Sequence, residues 1–115
     1  MNLINKKFKN KEIIFDYVKN GVVYLNATKT AKQFGKEVRR WLALKETKTY
    51  IQALEKSQKP KAVLNGFGGF VVIRKGGNDE SLRGTWLHPK LTIFFARWLD
   101  MEFSIWCDET IEDII

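Results

Sequence analysis

A single cysteine, Cys107, and a single histidine, His88, leave this chain without the donors for an internal disulfide or for an all-protein zinc site built from four Cys and His ligands. Nothing in its 115 residues approaches the roughly 20 consecutive apolar positions of a membrane-spanning helix. The opening Met1-Asn2-Leu3-Ile4-Asn5-Lys6-Lys7 has no apolar core of the secretory type. A cytoplasmic protein with no membrane contact is the expectation. With two prolines, no internal repeat and no linker-like tract, residues 1–115 read as one domain. The glycine-rich pieces match neither a Walker A loop nor G-x-G-x-x-G, and Gly66-Phe67-Gly68-Gly69 has no helix after it.

Enzymatic chemistry is equally poorly supplied. His88 and Cys107 have no third partner in sequence, so His88 reads as a hydrogen-bonding residue at a helix start and Cys107 as small core filler. Asp108, Glu109, Glu112 and Asp113 could be imagined around a magnesium ion. They alternate with Ile111, Ile114 and Ile115, which is the pattern of an amphipathic helix with a solvated acidic side. The reading is therefore no enzyme, no catalytic residue, no metal and no cofactor.

What the chain does have is positive charge. All 20 Lys and Arg and only seven of the 13 acids fall in residues 1–99, a net of +13, whereas residues 100–115 carry −6. A basic body points to a polyanionic partner, with the acidic end on another face.

Residues 1–11 read as a flexible basic arm. Glu12–Val18 and Val22–Leu25 are rich in β-branched and aromatic residues, and Lys19-Asn20-Gly21 between them holds the Asn-Gly signal of a tight hairpin. Asn26 can cap a helix in which Ala27, Ala31 and Phe34 share one face, and Gly35 can end it. A second helix, 36–44, has Val38, Trp41 and Leu42 on its apolar stripe and Lys36, Arg39, Arg40 and Ala43 opposite. Thr47 or Thr49 can cap a third, with Tyr50, Ile51 and Leu54 inward, ending before Pro60. Phe70–Ile73 and Arg83–Leu87 read as a second hairpin with a polar, glycine-rich tip between them. Pro89 opens a fourth helix with Leu91, Phe94, Phe95, Trp98 and Leu99 inward. Asp100–Glu102 interrupts it, and a last helix presents Phe103, Trp106, Cys107, Ile111 and Ile114. Trp86 and Trp98 both read as core.

Two short helices joined at a glycine, the second cationic around a small residue, have the layout of a helix-turn-helix that enters a DNA major groove. The same spacing also fits an ordinary solvated charged face. The hairpin over 70–87 would be a wing along a nucleic-acid backbone, or a plain connector.

Taken together, Tyr24-Leu25-Asn26-Ala27-Thr28-Lys29, Val38-Arg39-Arg40-Trp41-Leu42, Gly84-Thr85-Trp86-Leu87-His88-Pro89 and Ala96-Arg97-Trp98-Leu99 resemble, in order and spacing, the KilA-N domain of bacteriophages and large DNA viruses. That family looks related to the fungal APSES DNA-binding domains. The resemblance implies an α+β, winged helix-turn-helix-like domain: hairpin, three helices, hairpin wing and two C-terminal helices. It also implies double-stranded DNA as partner, a role in phage or viral transcription regulation, and a second domain that commonly follows. Asn26, Thr28, Gly84, Thr85, Trp86 and Pro89 match the family pattern as scaffold. The helical face adds Lys36, Arg39, Arg40 and Ala43 as candidate base readers, and Lys29, Lys32, Lys48, Lys75 and Arg83 as candidate phosphate contacts. The alternative is an RNA-binding or protein-interaction module using the same basic face; the aromatics fall on helical core stripes rather than on an open sheet, which favours duplex DNA.

Overall fold

The two hairpins legible in the sequence are parts of one antiparallel sheet. The computed structural model describes residues 2–18, 21–57, 69–75 and 80–115. Its strands are β1 (Leu3–Phe8), β2 (Lys11–Val18), β3 (Val22–Asn26), β4 (Val71–Arg74) and β5 (Gly84–Leu87), in the order β1-β2-β3-β5-β4. The two halves join where Leu25 pairs with Leu87 and Asn26 with Trp86. The helices are α1 (Ala27–Gln33), α2 (Val38–Ala43), α3 (Lys45–Ser57), α4 (Pro89–Leu99) and α5 (Met101–Ile114), and a 3-10 turn at Glu80–Leu82 precedes β5. The result is a small mixed α and β domain.

Both faces of the sheet centre are covered, so β3 is buried at all five positions, and its first four read as a continuous apolar run instead of alternating. On one face Ile13, Phe15, Val23, Leu25 and Leu87 meet the helices, where Trp41, Phe95 and Phe103 are almost fully buried. On the other, Ile14, Val18, Val22, Tyr24 and Trp86 form a second cluster. Asp16 is 1% exposed on that second face. Its carboxylate accepts from Arg74 Nη2 at 3.3 Å and from the Asn2 amide at 3.2 Å, and the guanidinium also lies 5.1 Å from the Trp86 ring. Burial lowers the Arg74 pKa and Asp16 opposes that shift. A buried carboxylate without such a partner would be strongly destabilising.

Several expectations need correction. The flexible basic arm expected over residues 1–11 contains β1, paired with β2 at six positions. Its apolar residues sit at both ends, with Phe8 buried among Phe34, Phe103 and Trp106 and exposed Asn5, Lys6 and Lys7 between them. Charge is tolerated there because an edge strand keeps one side in water. The second helix is shorter than 36–44, since residues 36 and 37 form a link. The third begins at Lys45, so Thr47 and Thr49, the two alternatives expected as its cap, both lie inside it, Thr47 buried and Thr49 exposed. The break expected at Asp100–Glu102 shrinks to Asp100, whose carboxylate caps α5 by accepting from the Phe103 amide at 2.9 Å. Trp98 is half-buried, unlike Trp86, which is fully enclosed with its indole N–H donating to the Leu82 carbonyl at 2.8 Å.

Other readings hold. His88 caps α4 by accepting from the Lys90 amide at 3.1 Å, with Pro89 following, and Cys107 is buried. The Asn20 part of the Asn-Gly turn, the chain around Pro60, the Gly66–Gly68 piece and the hairpin tip at 76–79 lie outside the described residues; Gly21 has φ +74, as the turn requires.

Candidate nucleic-acid interface

Asn26 is the last residue of β3 and the N-cap of α1. Its Oδ1 accepts from the Lys29 amide at 3.1 Å, and its Nδ2 donates to the Arg83 carbonyl at 3.2 Å. Two residues on, Thr28 Oγ1 accepts from the Thr85 amide at 2.8 Å. Between those contacts Gly84 adopts φ +121, and a Cβ on it would lie 2.8 Å from both Thr28 Cβ and Oγ1. The Asn-Ala-Thr and Gly-Thr-Trp motifs are therefore two halves of one clasp that fixes the start of α1 against β5.

The other end of α1 is closed by a Schellman arrangement. Gly35 has φ +71, its amide donates to the Lys32 carbonyl at 3.0 Å, and the Lys36 amide donates to the Ala31 carbonyl at 2.9 Å. Lys36 then turns inward: its ammonium donates to the Trp98 carbonyl at 3.0 Å and lies 4.6 Å from the Trp98 ring. That carbonyl belongs to the last turn of α4, where the helix dipole favours a cation. Of the four residues read as one cationic stripe, Lys36 is thus a link to α4.

The remaining three are where helical periodicity puts them. In α2, Val38 and Trp41 are buried while Arg39, Arg40 and Ala43 are exposed. Glu37 occupies the N-cap position, yet its side chain makes no capping bond and instead accepts from Arg39 Nε. The hydrogen bond from Arg39 and its positive charge hold the Glu37 carboxyl below the usual carboxylate range, with smaller contributions from Arg40 and Lys32. A shallow groove of about 190 Å³ between α1 and α2 is lined by Thr28, Lys32, Glu37, Val38 and Arg39.

Thr28 and Lys32 on α1 thus share a groove with Arg39 on α2, and the clasp ties Arg83 to the same end of α1. Lys29 is half-buried beside the cap. Lys48 on α3 and Lys75 after β4 are exposed but do not line the groove. Sequence reasoning missed Glu37, whose only signal was an acid at the start of a cationic helix, and it missed that Arg74, next to Lys75, is spent on Asp16. On the far side of Phe34, Lys11 Nζ lies 5.1 Å from the ring, placing the β1–β2 turn near the α1–α2 link. Among the described residues no cluster of His, Cys, Asp and Glu could hold a metal ion, and no helix is long and apolar enough to cross a membrane.

The KilA-N domain model matches residues 6–115 of the chain. Relatives from Acanthamoeba polyphaga mimivirus, each described as a KilA-N domain-containing protein, align with most of it. One is 31% identical over 110 residues, covering 90% of this chain and 28% of its own length. A second is 34% identical over 84 residues, covering 71% and 17%, and a third is 30% identical over 95 residues, covering 80% and 26%. The chain spans less than a third of the length of these relatives. No solved structure matches it significantly.

Proposed function

Because the chain belongs to the KilA-N domain family, we propose that it binds duplex DNA in a sequence-dependent way, as a winged helix-turn-helix-like domain. In this reading α2 enters the major groove with Arg39, Arg40 and Ala43 facing the bases. Lys29 and Lys32 of α1 meet phosphates, and the β4–β5 hairpin lies along the backbone with Lys75 and Arg83. Lys48 extends the phosphate contacts onto α3. Lys36 serves as the brace that sets α2 against α4. A role in viral or phage transcription, within a longer protein, extends the same proposal.

The observation that carries it is the clasp of Asn26 and Thr28 with Arg83, Gly84 and Thr85. It ties the start of α1 to the start of β5, so the backbone positions that carry cations on the two elements are held in a fixed relation, which lowers the ordering cost of binding. An RNA-binding module that stacks bases on its sheet is less well supported. Among the described residues Tyr50 is the one exposed aromatic, and it lies on α3.

A binding selection on random duplexes, followed by titration of the selected duplex across salt concentrations, tests the reading. Five phosphate contacts give a log–log slope of about −4 to −5. A slope near zero, or a selection that enriches no sequence, would remove it.

A further inference from the structure

The ion pair at the start of α2 is oddly placed for a protein that binds a polyanion. Glu37 brings a negative charge into the groove beside Lys32, Arg39 and Arg40, where it works against any phosphate. Its side chain makes no capping bond and is 51% exposed, so beyond the mild favour of an acid at a helix start neither capping nor packing gives a reason for it. What it does do is engage Arg39 through Nε.

That choice of atom matters. A guanidinium carries five N–H groups in one plane, and engaging the Nε–H leaves the two terminal amino groups. Those two groups can make parallel hydrogen bonds to O6 and N7 of guanine. An arginine without a neighbour has several rotatable bonds and grips phosphate as readily as a base; one held at Nε has fewer orientations to lose.

We infer that Glu37 is a positioning residue for base recognition: it orients Arg39 so that the free edge of the guanidinium meets guanine, while its charge weakens attachment to backbone alone. The inference rests on the reading of α2 as the helix in the major groove. It names guanine as the base read through Arg39 and gives Glu37 opposite effects on specific and non-specific binding, an arrangement of attraction plus repulsion that serves specificity.

Opposite effects make it testable with Glu37→Gln, which keeps size, removes the charge and leaves Arg39 Nε only a weaker, neutral acceptor. Binding is measured to the selected duplex, to the same duplex with each guanine pair replaced in turn, and to random duplex, for the wild type, Glu37→Gln, Arg39→Ala and the double variant. The expected result is that Glu37→Gln binds random duplex about threefold more tightly, as removal of one nearby like charge allows. Its discrimination at one guanine pair falls about tenfold, within the range of one bidentate base contact. In the Arg39→Ala background the discrimination loss disappears. A gain of equal size on every duplex would overturn the inference by reducing Glu37 to simple repulsion, and a discrimination loss that persists without Arg39 would overturn it by detaching Glu37 from that arginine. Both outcomes leave duplex binding itself intact. A wild-type chain that binds no duplex overturns this inference together with the reading beneath it. Because the side chain makes no capping bond and is exposed, the thermal midpoint of Glu37→Gln should fall by no more than a few degrees, as loss of one acid at a helix start allows.

Discussion

At Gly84 the missing side chain is itself the contact. Alanine there would set a methyl 2.8 Å from two atoms of Thr28 and would hold φ +121 against its own Cβ. Positive φ at a non-glycine residue costs about 1–3 kcal/mol, and overpacking adds a similar amount, so Gly84→Ala should destabilise by about 2–6 kcal/mol in denaturant titration. A loss below about 0.5 kcal/mol would mean that the clasp is loose. Arg39 and Arg40 test recognition instead of folding. Lysine keeps the charge but loses the planar fork. Replacing either arginine that reads a base should therefore cost about 1–3 kcal/mol on the selected duplex and little on random duplex. Lysine variants that keep the full preference would move base reading to the hairpin.

At the scale of elements, β1 carries the clearest consequence. A flexible arm could be removed with loss of affinity alone. Removing residues 1–8 here takes away the buried Phe8 ring and leaves β2 as an unprotected edge. Losing a buried phenylalanine costs about 3–5 kcal/mol, so the truncated chain should unfold earlier in urea by at least that; an unchanged midpoint would make β1 dispensable. Which elements can be read in advance follows from the same physics. Helix faces and caps repeat locally, so Asn26, Gly35, Pro89 and the stripes of α1, α2, α4 and α5 were legible. In β1 the apolar Leu3, Ile4 and Phe8 follow no period and the lysines between them dominate. The joining of β3 to β5, and the pairing of Asp16 with Arg74 across 58 positions, depend on tertiary placement that no local pattern records. On α2, periodicity anticipated the exposure of Arg39, Arg40 and Ala43. It did not anticipate the contact of Lys36 with α4, because the Schellman turn ends one helix before the next begins, nor the pairing of Glu37 with Arg39, since an i, i+2 pair is not a helical neighbour.

At the scale of the whole molecule, covering the sheet on both faces has a cost that appears at high pH. The Tyr24 hydroxyl donates to the Gly69 carbonyl at 2.8 Å, and burial raises its pKa from 10.0 to about 12. Burial pushes the Cys107 thiol upward as well. The unfolded chain releases the tyrosine proton near pH 10 while the folded chain holds it. The contribution of Tyr24 is thus complete below pH 10 and lost as pH rises toward 12. Urea midpoints measured from pH 8 to 12 should fall in the upper part of that range, and less steeply for Tyr24→Phe; an equally steep fall in the variant would exclude Tyr24 as a source. The clasp has a consequence of another kind. From the start of β5 it uses the Arg83 carbonyl just before the strand, the Thr85 amide and the absence of a side chain at Gly84, and from the end of β3 and the start of α1 it uses Asn26 and Thr28. Three of these five positions contribute backbone or a missing side chain, and Arg39, Arg40 and Ala43 of α2 are exposed. Side chains elsewhere on the hairpin and on α2 can therefore change while the joint is inherited unchanged, and a hairpin exchanged between two such proteins should seat correctly so long as those few positions are present on both sides.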